Sequence, residues 1–306
     1  MADTYGYKLK TELCNTAKLS LAAKKALLYG LMLFSRSFNS SGISIQTEYE
    51  CVATLYQDLL HELCGAEAKL RVMGTEAKAY AVSVLRENDR QRVLEYFSHE
   101  FNEITLKVNM ANIDTPEDTC YFIRGAFLAC GYVSDPNKAY RLEFVEPRFT
   151  LSKNLALLLE DAGFTFKSSV RKGSYVLYVK DSGVIEDVIT YMGASRFTLE
   201  LMDIKIIKDL RNNINRKTNC ETANIEKTIT ASATQIRDIK YLKKVLGLAL
   251  LPEELKEIAL LRLKYPEGSL SELGQMLKPP LSRSGVSHRL RRLSAMAKEQ
   301  KQLIKK

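Results

Sequence analysis

Two rhythms of apolar positions run along this chain, and their order returns. Lys24–Phe38 has an apolar centre, Ala26 to Phe34, broken only by Gly30, and predicts a buried helix. Gly42–Glu48 alternates with period two and predicts a strand. Val52–Cys64 sets Leu55, Leu59, Leu60 and Leu63 on one helical face, and Ala68–Met73 with Ala79–Val84 predicts a pair of strands. Asn88–Phe97 opens on an acid and predicts a helix. A polar connector follows over 102–119, with Asp114-Thr115-Pro116-Glu117 as a helix start. The same order then recurs. Tyr121–Gly131 predicts a helix with Gly125 inside it and a left-handed stop at Gly131. Tyr140–Val145 predicts a strand, and Leu151–Ala162 a helix closed by Gly163. Phe164–Val170 and Ser174–Val179 predict strands around the turn Arg171-Lys172-Gly173, and Gly183–Met192 a helix.

The unit helix–strand–helix–strand–strand–helix thus occurs twice, over about 1–100 and 101–195, which implies pseudo-twofold symmetry. A glycine inside a helix costs about 1 kcal/mol against alanine. Two such glycines, Gly30 and Gly125, in equivalent helices predict that those helices meet on the axis, where missing side chains let backbones approach.

From Arg196 the texture changes. Phe197–Leu210 is amphipathic, Arg211–Asn219 is polar and basic with no apolar period, and 196–226 reads as a linker. Ala231–Leu246 and Pro252–Tyr265 predict helices. Ser269 with Glu272 forms a capping box for the next, and Lys278-Pro279-Pro280 breaks the chain before Ser284–Leu293. Short helices with tight turns predict an all-α helix-turn-helix domain over 227–306. The fold class is therefore α+β: a duplicated repeat followed by an all-α domain.

Charge adds a partner. The 306 residues carry 45 Lys and Arg against 36 Asp and Glu, a formal +9 that favours polyanions. The excess is concentrated from Lys278 onward, where Glu299 is the only acid. A recognition helix meets base edges through its N-terminal residues. Those are Ser284, Ser287 and His288, with Arg291 one turn on; Arg283, Arg289, Arg292 and Lys278 are placed as phosphate contacts. Arg211, Asn215 and Arg216 offer a second DNA contact or else belong to an ordered connector. The six cysteines include no C-x-x-C pair and indicate a reduced, cytosolic protein. His61 and Cys64 are too few for a zinc site, so neither metal nor cofactor is expected. No apolar run reaches the roughly 20 residues of a membrane span, and no signal peptide fits the start.

Leu28–Arg36 and Ile123–Gly131 resemble the paired signature helices of LAGLIDADG homing endonucleases. In that family the repeat is close to helix–strand–strand–helix–strand–strand–helix. Each motif of an active member places an acid before its last position, and the two carboxylates hold the metal ions that cut DNA. The matching positions here are Ser35 and Cys130. A hydroxyl and a thiol cannot replace carboxylates at Mg²⁺, and Asp135 has no acidic counterpart in the first copy, so no enzymatic activity is expected. With Arg211–Lys227 and Tyr265–Arg292, the whole chain resembles the WhiA family, bacterial regulators that join a degenerate LAGLIDADG-like domain to a helix-turn-helix. The resemblance implies double-stranded DNA as partner, a nucleoid location, and roles in cell division or chromosome segregation, and in sporulation where the host sporulates. The strands of the first domain mix Lys69, Arg71, Lys167 and Arg171 with Glu48 and Glu143, so a protein partner or an architectural role suits that domain as well as a DNA saddle does. A residual nuclease is the remaining alternative.

Overall fold

A computed structural model describes residues 4–74, 78–101, 103 and 105–303. The chain divides into two compact units, Met1–Lys208 and Asp209–Lys306.

The first unit opens with α1 (Tyr5–Leu13). A repeat follows: α2 (Leu21–Leu33), β1 (Ser37–Asn39), β2 (Gly42–Thr47), α3 (Glu50–Cys64), β3 (Ala68–Met73), β4 (Ala79–Val84) and α4 (Glu87–Tyr96). The second copy is α5 (Pro116–Cys130), β5 (Gly131–Val133), β6 (Leu142–Glu146), α6 (Phe149–Asp161), β7 (Lys167–Arg171), β8 (Ser174–Val179) and α7 (Ser182–Tyr191). Each copy forms one antiparallel sheet, ordered β1-β2-β4-β3 and β5-β6-β8-β7. The short strands β1 and β5 have too few residues to show an alternating pattern, and periodicity alone passes over them. With them, the order is the helix–strand–strand–helix–strand–strand–helix of the endonuclease family.

Register confirms the duplication. Ile43 pairs with Val84 and Ile45 with Val82 in the first sheet; Leu142 pairs with Val179 and Phe144 with Leu177 in the second. All eight side chains are buried and share one core with α2 and α5. The turn between β7 and β8 has positive φ at both Lys172 (50°) and Gly173 (81°), the geometry that matches strand twist in a two-residue hairpin.

α2 and α5 meet at the predicted glycines. A Cβ on Gly30 would strike the carbonyl oxygen of Phe122 and lie 3.0 Å from the nitrogen of Ala126. A Cβ on Gly125 would strike the carbonyl oxygen of Leu27 and lie 2.8 Å from the nitrogen of Leu31. The struck atoms lie three residues before and one after the facing glycine in both directions, as a twofold axis requires.

α5 starts at Pro116, within the predicted helix start Asp114–Glu117, where Thr115 and Asp118 form a reciprocal capping box. One local expectation is corrected. Gly131 does not end α5 in the left-handed region: its φ is −82° and ψ 149°, and β5 begins there. Glycine is needed at that position because a Cβ would run into the carbonyl and ring of Phe127. The left-handed stop at Gly163 is observed, with φ 89° and the Phe164 N–H donating to Leu159 O at 2.8 Å.

The linker expected over 196–226 is instead part of one helix, α8 (Ser195–Val245). Its apolar period lapses after Leu210 because residues 209–231 are exposed, and a helix with nothing to pack against needs no apolar face. Within the first unit its start is capped by Glu12, whose carboxylate accepts from the N–H groups of Arg196 and Phe197 at 2.9 Å.

In the second unit, α9 (Glu253–Lys264), α10 (Leu270–Gln275) and α11 (Arg283–Leu303) enclose a separate core with Ile239 and Leu242 of α8. Leu255, Ile258, Leu273, Leu277, Val286, Leu290 and Leu293 fill it. No helix among the described residues is long and apolar enough to cross a membrane.

Candidate nucleic-acid interface

The ends of α2 and α5 carry Ser35 and Cys130, the two expected motif positions. Ser35 is buried, and its hydroxyl donates to Met32 O at 2.6 Å. Burial, with the charge of Glu146 added, pushes the Cys130 thiol up to about 12, so it stays neutral. Each helix end is closed by a cation. Arg148 Nη2 donates to Leu33 O at 2.7 Å and Ser35 O at 3.2 Å, and the buried Glu146 carboxylate holds the same guanidinium at 2.6 and 3.0 Å. Lys10, buried, donates to Leu128 O at 3.0 Å, and burial lowers its pKa to about 8. Cations at helix C-termini complement the dipole. They also oppose a metal ion, and Glu146 is already committed to Arg148. Asp135 forms a turn, accepting from the Asn137 N–H at 2.9 Å. Among the described residues no group of three His, Cys, Asp or Glu is placed to hold a metal. Sequence reasoning missed Lys10, Glu146 and Arg148, since no spacing marks a residue that caps a helix far away in the chain.

The helix-turn-helix is closed by its turn. Ser269 accepts from Glu272 N–H at 3.2 Å while Glu272 accepts from Ser269 N–H at 2.8 Å, the predicted capping box at the start of α10. After α10 the chain turns through a cis Lys278–Pro279 bond, and Leu281 N–H donates back to Gly274 O at 2.9 Å. A Cβ on Gly274 would strike Leu281 O, so only glycine admits the turn this close to α10. Gly274→Ala is therefore expected to destabilise the second unit by about 2 kcal/mol. Unfolding and duplex titration of the full chain read this out, with stability and DNA affinity falling together.

Ser282 then starts α11, its hydroxyl accepting from Gly285 N–H at 3.3 Å. Val286, Leu290, Leu293 and Ala297 face the core. The stripe Ser284, Ser287, His288 and Arg291 recurs at helical spacing elsewhere on the surface; Ser284, His288 and Arg291 are exposed and Ser287 is half-buried. The Ser284 hydroxyl lies 2.9 Å from that of Ser282. Arg283 and Lys278 are exposed beside the turn, and their side chains form no ion pair among the described residues. Arg289 and Arg292 differ. Both reach Glu254 at the start of α9, at 3.5 and 2.9 Å, and Arg289 also donates to Glu254 O. They tie α11 to α9. Arg211, Asn215 and Arg216 lie on the exposed middle of α8, apart from the packed helices.

On the sheets, the basic residues are partly neutralised. Arg171 and Arg141 both bind Glu143, at 2.8 and 2.6 Å. Burial would raise that carboxyl, but the two guanidinium groups hold it below the ordinary range. Lys69, Arg71 and Lys167 remain exposed.

Comparison with known proteins settles the ancestry of both units. Residues 120–211 match the WhiA LAGLIDADG-like domain, and residues 214–297 match the WhiA C-terminal HTH domain. The chain is 37% identical over 310 residues to the probable cell division protein WhiA of Clostridium acetobutylicum, covering 97% of this chain and 98% of that protein. The chain belongs to the WhiA family.

The Clostridium perfringens WhiA is also 37% identical, over 309 residues. The crystal structure of full-length DUF199/WhiA from Thermatoga maritima shares the fold at a TM-score of 0.57 and 22% identity, covering 97% of this chain and 98% of that one. The WhiA LAGLIDADG-like match spans the second repeat and the start of α8; the reciprocal glycine contacts extend the same architecture to the first repeat. WhiA relatives are named as cell division proteins, and here Ser35 and Cys130 stand at the motif positions with Arg148 and Lys10 on the ends of the same helices.

Proposed function

We propose that this chain is a WhiA-type transcriptional regulator that acts in cell division, reads double-stranded DNA through α11, and keeps its endonuclease-like unit as an inert scaffold. The observation that carries the reading is the polar stripe Ser284–Ser287–His288–Arg291 at the N-terminal end of α11, set against a fully apolar inner stripe. Serine and histidine can each give or take one hydrogen bond at a base edge, and arginine forms the bidentate pair that guanine favours. Lys278 and Arg283, exposed at the turn, supply phosphate contacts that set affinity and salt dependence. Arg289 and Arg292 hold the recognition helix in place through Glu254 and add to the local positive potential. Arg211, Asn215 and Arg216 supply a second, phosphate-level contact from α8.

The first unit suits a protein partner better than a DNA saddle, because Glu143 neutralises two of its sheet arginines. A soluble regulator working at the nucleoid fits these properties.

The test pairs binding with cleavage on the full chain. Duplex affinity is expected to fall linearly with the logarithm of salt concentration. End-labelled duplex incubated with Mg²⁺ is expected to stay intact. Mg²⁺-dependent cutting that disappears in Asp135→Asn contradicts the inert scaffold; salt-independent binding contradicts the phosphate contacts.

A further inference from the structure

The middle of α8 leaves four large apolar side chains in solvent. Over 209–231 these are Leu210, Ile214, Ile225 and Ile229, exposed by 58, 64, 60 and 62%. They are spaced four, eleven and four residues apart. At about 100° per residue each step returns close to the same side, so the four form one sparse stripe about 30 Å long. An exposed apolar stripe on a helix marks a contact surface. The rest of this stretch is rich in Asn and Thr, which are weak helix formers. A helix of that composition with nothing against it is marginal, and a partner along the stripe supplies the missing support.

The order of residues points to the partner. Reversed about the midpoint between Asn219 and Cys220, the stripe maps onto itself: Leu210 falls on Ile229 and Ile214 on Ile225. The charges follow the same reversal. Lys217 and Glu221 lie on one flank of the stripe, between the two apolar pairs, and reversal sets each almost opposite the other. Both are exposed, and neither forms an ion pair among the described residues. Within a single helix, Lys four residues before Glu is the weaker orientation of such a pair. Thr218 and Thr222 lie on the other flank. Antiparallel helices related by a twofold axis turn the same flank toward each other, so Lys meets Glu; parallel helices would turn it toward the threonines. Arg216 lies on the far side of the helix, clear of the stripe.

We propose that the exposed middle of α8 is a self-association surface that pairs antiparallel with α8 of a second copy of this chain. Leu210 packs against the partner's Ile229 and Ile214 against the partner's Ile225, and each contact occurs twice. Lys217 pairs with the partner's Glu221, and Glu221 with the partner's Lys217, at the centre of the contact. The contact is small and largely polar, which makes the association reversible rather than permanent. The pairing itself does not depend on DNA. On the reading that α11 meets base edges, it brings two reading helices into one particle and favours sites built from two half-sites.

Sedimentation equilibrium of the full chain, without DNA and over a concentration series, tests this. A reversible monomer–dimer equilibrium is expected, and the Ile214→Gln, Ile225→Gln double variant should abolish it. Both positions are exposed, so circular dichroism should show that variant folded. Lys217→Glu and Glu221→Lys should each weaken association on the order of tenfold, because two attractions become two repulsions. Mixed in equal amounts, these two single variants should associate with each other, since every facing pair is then opposite in sign. A chain that stays monomeric throughout the series overturns the proposal and leaves the stripe to a different protein or to DNA. A dimer indifferent to the isoleucine or the charge substitutions, or one that mixing fails to restore, overturns it as well.

Discussion

Gly30→Ala and Gly125→Ala are each expected to destabilise the first unit by about 3 kcal/mol, at the upper end of overpacking costs. Alanine is the better helix former by about 1 kcal/mol, so propensity alone predicts the opposite sign. Packing overrides it because the added methyl meets backbone, which cannot rotate away as a side chain can. The helices must separate, and the buried side chains of Leu27, Leu31, Phe122 and Ala126 lose contacts with them. Symmetry sharpens the expectation. The two substitutions should cost similar amounts, and the double variant should cost less than their sum, because helices already moved apart by one methyl accommodate the second. Denaturant unfolding of the full chain and the three variants measures this. A stabilised Gly30→Ala protein would show that α2 and α5 do not meet here.

Arg291→Ala is expected to cost about 1–3 kcal/mol on the preferred duplex and much less on random duplex. Lys278→Ala should instead weaken every duplex similarly and lower the salt slope by about one. The contrast follows from placement: Arg291 lies in the exposed stripe one turn beyond His288, whereas Lys278 sits at the turn before α11. Arg292→Ala combines a lost ion pair to Glu254 with lost positive charge, so it should lower stability as well as affinity. Competition titrations at several salt concentrations separate these behaviours. Equal loss on all sequences for Arg291→Ala would remove it from base readout.

Much of the fold could be read from local pattern, and the gains and failures have physical causes. The paired glycines identified the seam because an internal helix glycine has a cost that only close approach offsets. The capping box at Ser269 and the left-handed Gly163 are local chemistry, and local chemistry is written in adjacent residues. β1 and β5 escaped because three residues carry no period. The middle of α8 looked like a linker because an exposed helix has no buried face to advertise. At the ends of the paired helices, the absence of acids at Ser35 and Cys130 was plain, but the cations beside them were not. Lys10 reaches α5 and Arg148 reaches α2 across more than one hundred residues. On α11, the sequence separated inward from outward positions, yet treated Arg289 and Arg292 as free. Their common partner, Glu254, lies on another helix and only the folded chain brings it near.

The proposed sequence recognition lies on one face of α11. The most direct test is selection from a random duplex library, run with the full chain and with the Ser284→Ala, His288→Ala, Arg291→Ala triple variant. These three side chains are exposed, so unfolding of the variant should match the parent. The parent is expected to enrich a defined motif, and the variant to bind duplex without enriching it. Enrichment of the same motif by both proteins would contradict the account and move base recognition elsewhere in the chain.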